Sequence, residues 1–217
     1  CYYKQNHQHV ICASPERFLR KTNQTLISQP IKGTSKRNLE NPIEDTANKT
    51  ALLDSAKERS ENVMVVDLVR NDLSKICTEG SVEVEELFGI YSFPQVHQMI
   101  STIKGTLNNT TDFLSIINAT FPMGSMTGAP KKKVLELIHT YEKSNRGLYS
   151  GAVGYITPTR DFDFNVVIRS ILYNSQNNYL SYHVGSGITF NSNPEKEYEE
   201  CILKASAMVT VLTATNS

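Results

Sequence analysis

A mixed fold of short strands and helices is what this sequence of 217 residues predicts, and three observations carry that reading. Residues 2–29 form short apolar runs separated by Gln5-Asn6-His7 and Thr22-Asn23-Gln24, the punctuation of strands and tight turns. Residues 45–72 are rich in Ala, Leu, Lys and Glu, the composition of one long helix or two in series. Residues 148–184 return to strand runs with polar turns, and a helical pattern closes the chain at 194–212.

In order, residues 9–13, 18–21 and 25–29 read as strands. Ala13-Ser14-Pro15-Glu16-Arg17-Phe18 lies between the first two, so Glu16 follows a proline at a strand junction, where a carboxyl can be aimed across a sheet. Its ordinary explanation is a turn carboxylate paired with Arg17. Next comes Gln29-Pro30-Ile31-Lys32-Gly33-Thr34-Ser35-Lys36. Pro30 fixes its own φ and biases Gln29 toward extended backbone, whereas Gly33 permits a turn or the close approach of a ligand. Lys32 is thereby displayed, with the Thr34 hydroxyl beside it. A lysine becomes a nucleophile when deprotonated, and burial or a neighbouring cation lowers its pKa from about 10.4 by up to roughly 3–5 units. Taken alone, the stretch is more often a surface turn with a solvated lysine.

Within the helical stretch, Glu58 and Glu61 are three residues apart and share a face that Leu68 continues, with Met64 and Val65 flanking it. Two inward carboxylates repel unless a cation lies between them, although most such pairs are solvated surface. Residues 81–87 alternate as a half-exposed strand, and residues 91–107 form a longer one. His97 falls between Val96 and Met99, where a histidine is usually a satisfied structural group. Residues 112–119 read as a short helix.

A glycine-rich loop over 121–131 feeds the next helix, with Pro130 suited to its first turn. Such a loop can offer backbone N–H groups to an anion or serve as a tight structural turn, and the spacing is not that of a Walker loop. Residues 148–157 and 165–173 are strands, the second returning through a turn at 174–178 into 179–184. On the 165–173 strand Val167, Arg169, Ile171 and Tyr173 share one face. An arginine on such a face sits at a sheet margin or binds a carboxylate with its planar fork. Gly185-Ser186-Gly187 follows as a second place where backbone amides can touch an anion. The final helix is expected to bury Cys201, Ile202, Ala205, Met208, Val209 and Leu212, with Glu197, Glu200 and Lys204 on another face.

Lysine plus arginine total 22 and aspartate plus glutamate total 22, so no global field draws nucleic acid or an anionic membrane to the protein. No apolar run reaches the 18 or so residues of a membrane span and no signal-peptide pattern is visible. Cys1, Cys12, Cys77 and Cys201 contain no Cys-x-x-Cys pair, against a zinc site or disulfide scaffold and consistent with a reducing cytoplasm. A start at Cys1 without methionine suggests a piece of a longer protein.

Seven motifs taken together resemble the chorismate-utilising enzymes: Ala-Ser-Pro-Glu-Arg-Phe (13–18), Pro-Ile-Lys-Gly-Thr (30–34), the helix at 58–72, Gly-Ser-Met-Thr-Gly-Ala-Pro-Lys (124–131), Tyr-Ser-Gly-Ala-Val-Gly (149–154), Gly-Ser-Gly-Ile (185–188) and Glu-Tyr-Glu-Glu (197–200). That family holds anthranilate, isochorismate, salicylate and aminodeoxychorismate synthases. The resemblance is collinear over nearly the whole chain. It implies an α+β fold, two packed antiparallel sheets with flanking helices, and one chorismate-binding catalytic domain over residues 1–217 that lacks its earliest strands. Lysine at the third position of Pro-Ile-x-Gly-Thr is similar to the aminodeoxychorismate-forming members; the others carry alanine there.

The resemblance further implies that Lys32 attacks C2 of chorismate while Glu16 protonates the departing C4 hydroxyl, and that ammonia then enters at C4 and expels the lysine. Glu58, Glu61, Glu197 and Glu200 would surround Mg²⁺ facing the ring carboxylate, at least one acting through water, since that ion tends to keep waters. Tyr149, Arg169 and the backbone of Gly185, Ser186 and Gly187 would hold the enolpyruvyl carboxylate, with Thr34, His97 and Lys204 completing the pocket. A glutamine amidotransferase partner would supply the ammonia. Competing readings are anthranilate synthase component I and a chorismate-binding remnant without turnover, against which Glu16, Lys32 and the four glutamates speak.

Overall fold

The computed structural model describes residues 1–190 and 192–214. In chain order the strands are β1 (Tyr2–Gln5), β2 (Gln8–Cys12), β3 (Arg17–Thr22), β4 (Thr25–Gln29), β5 (Ile31–Lys36), β6 (Glu83–Ser92), β7 (Val96–Thr106), β8 (Ala152–Ile156), β9 (Phe162–Val166), β10 (Ser170–Asn174) and β11 (Tyr179–Tyr182). The helices are α1 (Pro42–Asp54), α2 (Ala56–Ser74), α3 (Phe113–Thr120), α4 (Lys131–Tyr141) and α5 (Pro194–Thr213). Two antiparallel sheets result, each with helices, as the expected fold class requires. The chain divides into a larger unit, residues 16–144 and 155–164, and a smaller one, residues 1–15, 145–154 and the chain from 165 onward.

The larger unit is built on β7, which is buried over most of its length. β6 pairs along one of its edges, and β4 and β5 run end to end along the other. Pro30 marks the joint between β4 and β5: it has no N–H to give the ladder, and its carbonyl accepts from Ser101 N at 3.2 Å. Beyond β4 the sheet continues through β3, β9 and β8. α2 packs on β5 and β7. Leu19, Leu26, Val65, Leu73, Met99, Ile103 and Ile116 are the almost fully enclosed apolar core.

Ser55 divides the helical stretch into two. It ends α1 in extended geometry, and its hydroxyl caps α2 by accepting from Glu58 N at 3.4 Å. The glycine-rich loop is tied down by its side chains: Lys131 Nζ lies 2.5 Å from Asp72 Oδ2 and 3.4 Å from the Thr120 carbonyl, and Thr127 Oγ1 donates to the Met123 carbonyl at 3.0 Å. Pro130 is the N-cap of α4 and not within its first turn.

The smaller unit holds the sheet β1-β2-β10-β11 and α5. The two hairpins at β1–β2 and β3–β4 turn through Asn6 and Asn23, whose φ values of 54° and 53° are left-handed positions that asparagine tolerates.

Several expectations need correction. The 29–36 stretch is strand and not turn. The break expected near residue 90 lies at 93–95, because Phe88 at φ 60° and two register shifts spoil the alternation of β6 without ending it. The single strand expected over 165–173 is two strands separated at 167–169, and Arg169, at φ 50°, lies in the junction and not on a strand face. The strand expected over 148–157 is only Ala152–Ile156, preceded by a turn that carries Tyr149. On α5 only Glu197, Ala205 and Met208 are buried; Ile202 is 55% exposed and Leu212 41%.

Candidate active site

In the larger unit the site residues gather on one bulge and one helix. Ile31 pairs with Ile100 and Thr34 with Gln98, so β5 carries one residue more than the β7 segment it faces, and Lys32-Gly33 forms a bulge. A bulge bends a strand and re-aims a side chain. Lys32 is half-buried and, among the described residues, makes no hydrogen bond or ion pair. Gly33 has φ 91°, and a Cβ there would lie 3.0 Å from Leu52 Cδ1 and 3.1 Å from Glu58 Oε2. The bulge that presents Lys32 therefore rests directly on the first glutamate of α2. Thr34 is exposed on the same strand.

Glu61, one turn on, is buried, and its Oε1 accepts no hydrogen bond; the nearest cation is Lys57 Nζ at 3.8 Å. Glu16 is 4% exposed at the entry to β3. Its expected partner is otherwise engaged. Arg17 donates from Nε and Nη2 to Asp163 at 2.9 and 3.1 Å, and from Nη1 to Gln29 at 2.5 Å.

His97 is 1% exposed, its Nδ1 2.8 Å from Ser92 Oγ and its Nε2 3.1 Å from Asp45 Oδ1. Both ring nitrogens thus have partners inside the protein, the ordinary role of a strand histidine. Its neighbour Gln98, which sequence reading passed over, is 4% exposed with a buried Oε1 that accepts no hydrogen bond.

The smaller unit gathers the rest. A Cβ on Gly185 would lie 2.8 Å from Tyr149 Oη, so the phenol sits against bare backbone and glycine is required there. Lys204 Nζ donates to the Gly185 carbonyl at 3.0 Å and pairs with Glu200 Oε1 at 2.5 Å. Ser186 Oγ donates to Glu197 Oε2, whose carboxylate is 3% exposed, and Gly187 accepts from Ser192. Arg169 is half-buried; its guanidinium has no hydrogen bond or ion pair among the described residues. Burial lowers its pKa from the ordinary value, opposed by the charges of Glu200 and Tyr149, and an arginine remains protonated through such a shift. A half-buried guanidinium without an ion pair among the described residues is suited to a carboxylate.

Sequence reading also missed Arg146 and His183. Arg146 lies 6.0 Å from the Tyr149 ring centroid, and His183 stacks on that ring. Neither belongs to a motif.

The four glutamates divide between the units, two on α2 and two on α5. Among the described residues no three acidic, histidine or cysteine side chains converge as a metal cluster. The donor chemistry nonetheless suits a hard cation, because carboxylate oxygens are what Mg²⁺ takes and the buried Oε1 of Glu61 is left without a hydrogen bond.

The family described as chorismate binding enzyme matches residues 1–210. The chain belongs to that family. It is 43% identical over 196 residues to an aminodeoxychorismate synthase, chloroplastic, from Arabidopsis thaliana, covering 90% of this chain and 21% of the relative. It is 37% identical over 211 residues to anthranilate synthase component 1 of Saccharolobus solfataricus, covering 97% of this chain and 49% of the relative. Among solved structures, anthranilate synthase component I from Streptococcus pneumoniae TIGR4 matches with a TM-score of 0.83 at 33% identity, over 96% of this chain and 45% of that one. This family member thus spans less than half the length of each of these relatives. No helix of its described residues is long and apolar enough to cross a membrane.

Proposed function

We propose that this chain is the core of an enzyme that aminates chorismate at C4 to 4-amino-4-deoxychorismate, the precursor chemistry of para-aminobenzoate and folate. The observation that carries the reading is Lys32: a half-buried amine without an ion pair among the described residues, re-aimed by a bulge whose Gly33 rests on Glu58. Similarity to a chloroplast aminodeoxychorismate synthase supports the same reaction class.

In this reading the Lys32 amine forms a bond to C2, the ring double bond shifts, and the C4–O bond breaks. Glu16 donates its proton so that the hydroxyl leaves as water, which suits an enclosed carboxyl. Ammonia then bonds to C4, the double bond shifts back, and the C2–N bond breaks to return the lysine. The balance is chorismate plus ammonia giving 4-amino-4-deoxychorismate plus water. Arg169, Tyr149 and the Gly185–Gly187 backbone hold the enolpyruvyl carboxylate. Glu58, Glu61, Glu197 and Glu200 would hold Mg²⁺, which supplies positive charge toward the ring carboxylate. The ammonia is assigned to a glutamine amidotransferase subunit, and a reducing compartment suits the four free cysteines.

Similarity to two anthranilate synthase components favours a second reading, in which amination is followed by loss of the enolpyruvyl group. Product analysis of the full-length protein with chorismate, Mg²⁺ and ammonia separates them: 4-amino-4-deoxychorismate keeps that group, and accumulation of anthranilate would overturn the first reading.

A further inference from the structure

Tyr149 is held from more than one side. The His183 ring stacks on it with centroids 5.5 Å apart and planes 23° from parallel. Two residues on, Gly185 brings bare backbone against the phenol oxygen. In an extended segment residues 183 and 185 point to the same side, so this stretch after β11 grips the tyrosine at two successive same-side positions. Arg146 approaches the same ring and is itself anchored, its Nη1 donating to Ser150 Oγ at 3.1 Å.

His183 has no hydrogen-bonding reason to be there. Its Nδ1 is buried and makes no hydrogen bond, which disfavours the folded state unless the ring serves another purpose. We propose that His183 is the positioning residue of the carboxylate pocket: its imidazole, stacked on Tyr149, sets where the phenol and the Gly185–Gly187 backbone stand. The inference rests on the reading that this pocket holds a substrate carboxylate. The stack acts on the Tyr149 hydroxyl and on the loop, never on the reacting carbons, so its loss falls on binding and not on turnover.

The test is a double-mutant cycle in the full-length enzyme, with chorismate KM, kcat and thermal midpoint measured for each variant. His183→Ala should raise KM about threefold to tenfold with kcat within about twofold, the range expected for one aromatic pair. His183→Phe, which keeps a flat ring, should restore KM. In a Tyr149→Leu background, His183→Ala should add nothing. If Tyr149→Leu leaves KM unchanged, the carboxylate-pocket reading itself fails. If Tyr149→Leu raises KM and His183→Ala does not, only the positioning inference fails. A fall in thermal midpoint and kcat that phenylalanine does not rescue would make His183 merely structural. Should the alanine variant not fold, a raised KM in His183→Phe alone overturns the stacking role.

Discussion

Gly33 lies against the Glu58 side chain so closely that a single added carbon would meet its carboxylate at 3.1 Å. This contact seats the bulge that aims Lys32 directly on the helix that carries Glu58 and Glu61. It also explains the glycine twice, through φ 91° and through lack of room.

Gly33→Ala should therefore cost about 1–3 kcal/mol in backbone strain alone, and displace Leu52 or Glu58 besides. We expect a thermal midpoint several degrees lower and a loss of activity larger than the loss of folded protein. A variant with native midpoint and native activity would show that the bulge tolerates a side chain and that the contact has no consequence.

Arg169→Lys should bind chorismate roughly tenfold or more weakly, because an ammonium cannot reproduce a bidentate fork. Arg169 lies in the junction between β9 and β10 and not on a strand face, and its half-buried guanidinium has no ion pair among the described residues. A lysine variant with unchanged KM would place this arginine outside the pocket.

Glu61→Gln and Glu200→Gln should each weaken Mg²⁺-dependent activity by well over tenfold, as removing a carboxylate beside a divalent ion loses strong local attraction. Titration of activity with Mg²⁺ reads the effect. The same Mg²⁺ requirement in both variants would leave Glu61 as a carboxylate paired with Lys57 and Glu200 as one paired with Lys204.

Stability should depend on Asp45 in acid. The Arg37 hydrogen bond above all holds its carboxyl well below the usual carboxylate range, helped by Asn38 N–H and His97 against the opposing effect of burial. A carboxyl whose folded pKa is depressed contributes stability above its unfolded value of about 3.9, and that contribution is lost as pH falls through the folded value. Asp45→Asn should then unfold at lower temperature than the parent at pH 7, with the gap narrowing as the pH falls below about 4. A gap independent of pH would remove the ionised carboxylate as its cause.

The strands and helices were legible wherever the signals were local. Asn6 and Asn23 announced their turns, and the spacing of Glu58 and Glu61 one face of α2. What the sequence concealed were non-local relations. Phe88 looks like any strand residue, and only its pairing with β7 exposes the shifts around it. Arg169 fitted the alternation of its neighbours, yet its φ of 50° takes it out of the strand. Nothing local to Arg17 shows that its guanidinium reaches Asp163, far along the chain. His97 and Gln98 are adjacent, and only their burial and partners separate the satisfied residue from the one with a bare oxygen.

The central claim is that Lys32 bonds covalently to the substrate, and the most direct measurement is intact mass of the full-length enzyme mixed with chorismate and Mg²⁺ while ammonia is withheld. The account predicts an adduct equal to chorismate less one water, mapped by peptide analysis to Lys32 and absent from Lys32→Ala. No adduct under these conditions, together with 4-amino-4-deoxychorismate formed at the native rate by Lys32→Ala, would contradict it.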